Sequence, residues 1–154
     1  MEEEALILET TFVIDLERER HAARRIAATR SAGRRSVRAQ PAGPAHQLLE
    51  ARPDQPLSIT ITTAGELAAG VGAEERARWE AFLRPFDVLG IDLDACWQYS
   101  RAYRYLAQHG MLIGTNDLWI AAIALAHELP LVTRNRRHFE RVPGLRVIGY
   151  ADES

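Results

Sequence analysis

Four polar residues stand where each closes or opens an apolar segment of the chain: Glu9, Glu66, Asp117 and Asn135. Glu9 directly follows the run Ala5-Leu6-Ile7-Leu8, and an acid at the end of a buried strand is costly unless it is paired or binds a metal. Glu66 falls in the first turn of a helix opening at Thr63-Ala64-Gly65. Asp117 opens an apolar helix after Gly114, and Asn135 comes two residues after Thr133, which ends a short apolar strand. Three carboxylates in one crevice raise each other's pKa, and a divalent cation resolves that repulsion. Oxygen-only ligands favour magnesium or manganese over zinc. Such an ion acidifies water and stabilises charge on a phosphate during in-line displacement. Each residue also has a purely structural explanation. Thr63-x-x-Glu66 matches a capping box, Asp117 can oppose its helix dipole and Asn135 can form a turn. The metal site is expected from the combination.

The elements that must bring these residues together alternate along the chain. Short apolar strands are expected at 5–8, 57–61, 86–89, 130–133 and 145–148, with helices between them. A helix starts at Thr10-Thr11 and continues through the charged, alanine-rich stretch 18–31. Pro41-Ala42-Gly43-Pro44 forms a loop before a short helix at 46–51. Further helices are expected at 63–70, 73–83 and 93–108. On the last of these Cys96, Tyr99, Tyr103 and Leu106 make one buried face, and Gly110 suits the C-terminal cap. The helix from Thr115 is apolar nearly all round between Leu118 and Leu125, so it is buried. This pattern predicts a single-domain, three-layer α/β/α fold with a mainly parallel sheet of four to five short strands. The domain spans 1–150 and leaves a tail at 151–154. Ligands of such sheets bind outside the carboxyl ends of the strands, where the four polar residues fall.

Composition narrows the chemistry. All 19 basic residues are arginine, so neither a lysine-dependent phosphate loop nor a Schiff-base enzyme is possible. One cysteine, Cys96, excludes a disulfide framework, and no two histidines are spaced for a helical zinc pair. The opening glutamates do not suit a secretory signal, and no apolar run is long enough to span a bilayer. A cytoplasmic protein without membrane contact is expected. Net charge is −2, yet eight arginines between Arg18 and Arg38 face only Glu19, and a second cluster surrounds Arg134. Such patches suit an anionic polymer or a solvated helix face.

The stretches Leu6-Ile7-Leu8-Glu9-Thr10-Thr11-Phe12, Ile61-Thr62-Thr63-Ala64-Gly65-Glu66, Gly114-Thr115-Asn116-Asp117 and Val132-Thr133-Arg134-Asn135, in that order, resemble the PIN-domain ribonucleases, most closely the VapC-type toxins of bacterial toxin–antitoxin pairs. The resemblance implies an acidic site of Glu9, Glu66 and Asp117, with Asn135 at a position that is often a fourth acid and Thr133 nearby. It implies magnesium- or manganese-dependent cleavage of RNA, a homodimer and inhibition by a small antitoxin protein. Arg24, Arg25, Arg34, Arg35, Arg38 and Arg134 are the expected RNA contacts. Two features depart from the family pattern. Region 31–55 is longer and more basic than expected. The first acid is glutamate rather than aspartate, whose extra methylene moves the carboxylate by about 1.5 Å against a catalytic tolerance of roughly 0.5 Å. Sequence therefore leaves two readings: a working nuclease weakened at Glu9, which Glu9→Asp would speed, and an impaired or engineered inactive domain that only binds RNA or an antitoxin.

Overall fold

The computed structural model describes residues 3–31, 42–70 and 75–151. The expected tail at 151–154 lies almost wholly outside them. Five strands, β1 (Leu6–Leu8), β2 (Leu57–Thr60), β3 (Asp87–Leu89), β4 (Leu131–Val132) and β5 (Val147–Ile148), form one sheet in the order β3-β2-β1-β4-β5. Every neighbouring pair is parallel. Parallel pairing demands long crossovers, and these are the helices: α1 (Thr10–Ser31), α2 (Pro44–Glu50), α3 (Ile61–Ala69), α4 (Arg76–Leu83), α5 (Leu93–Gln108), α6 (Thr115–His127) and α7 (Arg136–Phe139).

Strand alternation sorts the core onto two faces of the sheet. Leu6 and Leu8 of β1, with Ile59 and Val132, meet Phe12, Val13 and Leu16 of α1, Leu48 of α2 and Ala64 of α3. Ile7 and Leu131 point the other way, onto Leu106 of α5, Leu118, Ile120 and Ala124 of α6, and Phe139 of α7. All three residues of β1 are buried, as befits the central strand of a sheet covered on both sides. The expected three-layer α/β/α fold is therefore the fold observed.

Several local expectations need correction. Cys96 and Tyr103 are exposed on α5, and the buried stripe is Ala95, Ala102 and Leu106. Leu106 and the partly buried Tyr99 pack inward as expected, and because each residue turns a helix by about 100°, Cys96 and Tyr103 fall one position away from the buried Ala95 and Ala102. Two alanines in the stripe let α5 lie close against α6, its most extensive partner. The strands β4 and β5 are shorter than expected, and α7, a single turn, was not foreseen. The short helix begins at Pro44, where the missing N–H is not needed. Glu19, the lone acid among the basic residues of 18–38, holds it in place. Its carboxylate accepts from the backbone N–H of Ala45 (3.1 Å) and of His46 (3.0 Å), and it bonds His46 Nδ1 at 2.8 Å. Gly110, just past the end of α5, has φ of 63° as a C-terminal cap requires. Among the described residues no helix is long and apolar enough to cross a membrane.

The carboxyl ends of β1, β2 and β4 lie side by side, so Glu9, Ile61 and Thr133 emerge along one sheet edge. The corrected phase of α5 yields a prediction. Leu106→Ala costs about 2–5 kcal/mol of unfolding free energy in urea titration, as large-to-small changes in a packed core do, whereas Tyr103→Ala changes it by less than about 1 kcal/mol.

Candidate active site

Glu9 is 4% exposed and occupies the N-cap position of α1. Its backbone oxygen accepts from Phe12 N (3.0 Å) and Val13 N (3.2 Å), and its own carboxylate turns back over the helix N-terminus. The side-chain hydrogen bonds fall on one oxygen. Oε2 accepts from Thr11 N (3.0 Å), from the Thr11 hydroxyl and from the Thr133 hydroxyl (2.9 Å). Burial pushes the Glu9 carboxyl above its usual value of 4.5, the hydrogen bonds from Thr11 and Thr133 oppose the rise, and the negative charge of Asp117 adds to it. Of the repulsion expected among three carboxylates, the structure shows at Glu9 only this smallest contribution, from Asp117.

Glu66 reaches the crevice by another route. The capping-box alternative fails, because α3 starts at Ile61 and its N-cap is Thr60, whose hydroxyl accepts from Thr63 N at 3.1 Å. Glu66 is released for a different partner: Thr10 Oγ1 donates to Glu66 Oε1 at 2.9 Å. Since the single proton of Thr10 is used there, Thr10 accepts from Thr63 Oγ1 at 3.0 Å, and Thr63 in turn accepts from Thr60 at 3.4 Å. A file of three buried hydroxyls therefore ends on the Glu66 carboxylate and ties α3 to the first turn of α1.

Asp117 lies in the first turn of α6, where the N-cap, Gly114, has no side chain to cap the helix. The dipole explanation thus holds for it, yet it is not its only contact. His138 Nε2 stands 2.9 Å from Asp117 Oδ2. Asn135 is exposed, its N–H donating to Thr133 Oγ1 at 3.0 Å and its side chain leaving α7 uncapped. Among the described residues no three acidic, histidine or cysteine side chains already converge as a metal cage. What the structure brings together is Glu9, Thr11 and Thr133, with Asp117 close enough to act on Glu9 electrostatically and Glu66 joined through Thr10. Oxygen donors with unrelieved negative charge suit a hard divalent cation.

Of the arginines, Arg134 stands beside this site. Its N–H donates to Thr11 Oγ1 at 3.2 Å, and its guanidinium meets Asp15 at 3.4 Å. Tyr150 donates to the other oxygen of Asp15 at 2.6 Å and packs edge-on against Phe12. Arg24 and Arg25 are exposed on α1, 15 and 16 residues from Glu9 and so about 22–24 Å along the helix. They line a groove of about 810 Å³ whose near end is Glu66. Arg34, Arg35 and Arg38 lie outside the described residues. Sequence reading missed His138, Thr10, Thr60 and Asp15. Only His138, three residues after Asn135, had a spacing that offered any clue.

The raised pKa of Glu9 makes a prediction about the metal-free protein. A carboxyl whose folded pKa exceeds its unfolded value costs stability when ionised, so the cost is absent well below pH 4.5 and grows as pH rises through 4.5 toward the folded value. Glu9→Gln, which keeps an oxygen acceptor for Thr11 and Thr133, raises the melting temperature by a few degrees at pH 7 in chelator, and the gap closes as pH falls below 4.5.

A PIN domain model matches residues 40–145. Ribonuclease VapC1 of Methanocaldococcus jannaschii is 36% identical over 93 residues, covering 58% of this chain and 68% of the relative. A DNA-bound VapBC structure from Salmonella typhimurium superposes with a TM-score of 0.73 at 24% identity, covering 97% of this chain and all of the other. A toxin–antitoxin complex from Klebsiella pneumoniae gives a TM-score of 0.62 at 24% identity, again with 97% of this chain covered. The family model spans most of the chain, and the chain belongs to the PIN domain family.

Proposed function

We propose that this protein is a divalent-metal-dependent endoribonuclease, the toxin of a type II toxin–antitoxin pair. The observation that carries this reading is the buried Glu9 carboxylate held at the carboxyl end of the central strand, with Asp117 beside it. Glu9 and Asp117, with Glu66 at the rim, hold the ion, and magnesium or manganese fits their oxygen chemistry. A divalent cation bound there supplies positive charge to the scissile phosphate and an acidified water. The chain's own residues do the rest. Thr11 and Thr133 fix the Glu9 oxygen, the hydroxyls of Thr60, Thr63 and Thr10 orient Glu66, and Arg134 offers a guanidinium to a phosphate at the edge of the crevice. Asn135 adds a neutral donor and acceptor at that edge, Arg24 and Arg25 extend the basic surface for RNA, and Arg34, Arg35 and Arg38, outside the described residues, are further RNA contacts on this reading.

The relatives named VapC and the solved toxin–antitoxin complex support a small antitoxin protein as partner. The groove beside Glu66 has the character such a partner needs, lined by the apolar Val13, Leu67 and Phe82 and by the basic Arg24, Arg25 and Arg78. A segment seated there covers Glu66 and the arginines at once, so inhibition follows from occupancy alone. Assembly as a homodimer accounts for Trp97 and Leu93, both strongly exposed on α5, while Trp79 and Tyr99 are already committed within the chain. Light scattering at micromolar concentration is expected to give twice the 17.3 kDa of one chain.

Glu9 is also better accommodated than its length alone suggests. Hydrogen bonds to Thr11 and Thr133 freeze the additional rotor in the folded state, before any ion arrives. Shortening the side chain withdraws it from Thr133. On one single-stranded RNA with manganese, Asp117→Asn lowers cleavage by roughly two orders of magnitude or more, and chelator does the same to the parent. Glu9→Asp is no faster than the parent. A faster Glu9→Asp would restore the weakened-nuclease reading, and full activity in Asp117→Asn would remove the site.

A further inference from the structure

The segment after β4 delivers an imidazole to the acidic crevice. Two anchors set its course. At the near end, Asn135 N donates to the buried Thr133 hydroxyl, which itself donates to Glu9. At the far end, Phe139 is fully buried in the core shared by α5, α6 and β1. One helical turn joins them, and His138 sits on that turn next to the Phe139 anchor, with the two rings edge-on at 5.5 Å. From there Nε2 meets Asp117 Oδ2 at 2.9 Å. An ionised carboxylate only accepts, so the imidazole carries a proton on Nε2 and donates it to Asp117.

We propose that His138 is the positioning residue of Asp117. It holds Oδ2 and leaves Oδ1 for a divalent cation, as Thr11 and Thr133 hold one oxygen of Glu9. The proposal rests on the reading of Glu9 and Asp117 as metal ligands. The side chains of His138 and Asp117 are 24% and 31% exposed, and a polar contact that open to solvent adds little to folding stability. Its effect is therefore on where Asp117 points. Without a partner, an aspartate in the first turn of a helix with a glycine N-cap is free to fold back over the exposed N–H groups. In the observed conformation His138 holds Oδ2 instead. Asn135, the neutral residue at the often-acidic fourth position, makes no such contact with Asp117. His138 thus adds to this site a donor that constrains a ligand, where another acid would add charge.

The test measures manganese binding by the full chain, after chelator treatment, from the loss of the free Mn²⁺ signal in electron paramagnetic resonance. Five proteins are compared: the parent, H138A, H138Q, D117N and the double variant D117N/H138A. H138A is expected to bind manganese about tenfold or more weakly, within the roughly 10–100-fold that hydrogen-bonding partners of metal ligands are worth. H138Q, whose amide N–H reaches about as far as Nε2, recovers most of that loss. The double variant binds no worse than D117N alone, because His138 acts through Asp117. The melting temperature of H138A stays with that of the parent. Parent-like manganese binding in H138A, beside weakened binding in D117N, overturns the positioning role and leaves the metal site standing. A double variant much weaker than D117N, or an H138A that melts far below the parent, also overturns it. A parent that binds no manganese overturns the metal site and this proposal together.

Discussion

Burying one carboxylate at the end of a wholly buried strand is the constraint around which the rest of the molecule is arranged. A side chain that is 4% exposed cannot keep its charge in an apolar surround without donors, and the chain gathers them from far apart. Thr11 supplies a hydroxyl and a backbone N–H from the first turn of α1, and Thr133 supplies a hydroxyl from 124 residues away. Because each threonine spends its proton on Glu9, each is left as an acceptor, and the N–H groups of Arg134 and Asn135 take those places. The loop after β4 is thereby shaped by the needs of Glu9, and α7 and His138 follow from that shape. The charge that remains unrelieved faces Asp117.

Helix α1 distributes the consequences. Its first turn carries Glu9 as N-cap and Thr10 as the donor to Glu66. Two turns on, Asp15 receives Tyr150 and Arg134, which ties the end of the sheet to the crevice. A turn later Glu19 grips the start of α2. Three acids on one helix thus serve three separate joins, and only the first belongs to the acidic site. Charge counting along the sequence treats them alike, whereas burial separates them.

That difference explains what could be read from the sequence. Strand β1 was plain as an unbroken apolar run closed by an acid, and helix α6 because its apolar pattern persists over 13 residues, so with Glu9 and Asp117 at their ends the sheet edge was legible too. Thr133 was foreseen as a neighbour but not as a donor to Glu9. The face of α5 was legible at Tyr99 and Leu106 but not at its other two positions, where the alanines Ala95 and Ala102 pack while Cys96 and Tyr103 stand out in solvent. Helix α7 was invisible because four residues are too few for a 3.6-residue period to show. The role of Thr10 depended on where α3 begins, and moving that start from Thr63 to Ile61 released Glu66 from a local cap to a partner 56 residues away.

The strand order carries a consequence for the protein's birth. The central strand is the first to be made, yet it pairs on one side with residues 57–58 and on the other with residues 131–132. At synthesis rates of roughly 5–20 residues per second, about 6–25 s separate Glu9 from Thr133. Until the end of that interval the growing chain lacks Thr133, and for most of it lacks Asp117 as well. Pairings this distant in sequence are also slow to form once both partners are available. The sheet edge that carries Glu9 is therefore complete only after almost the last strand has been added.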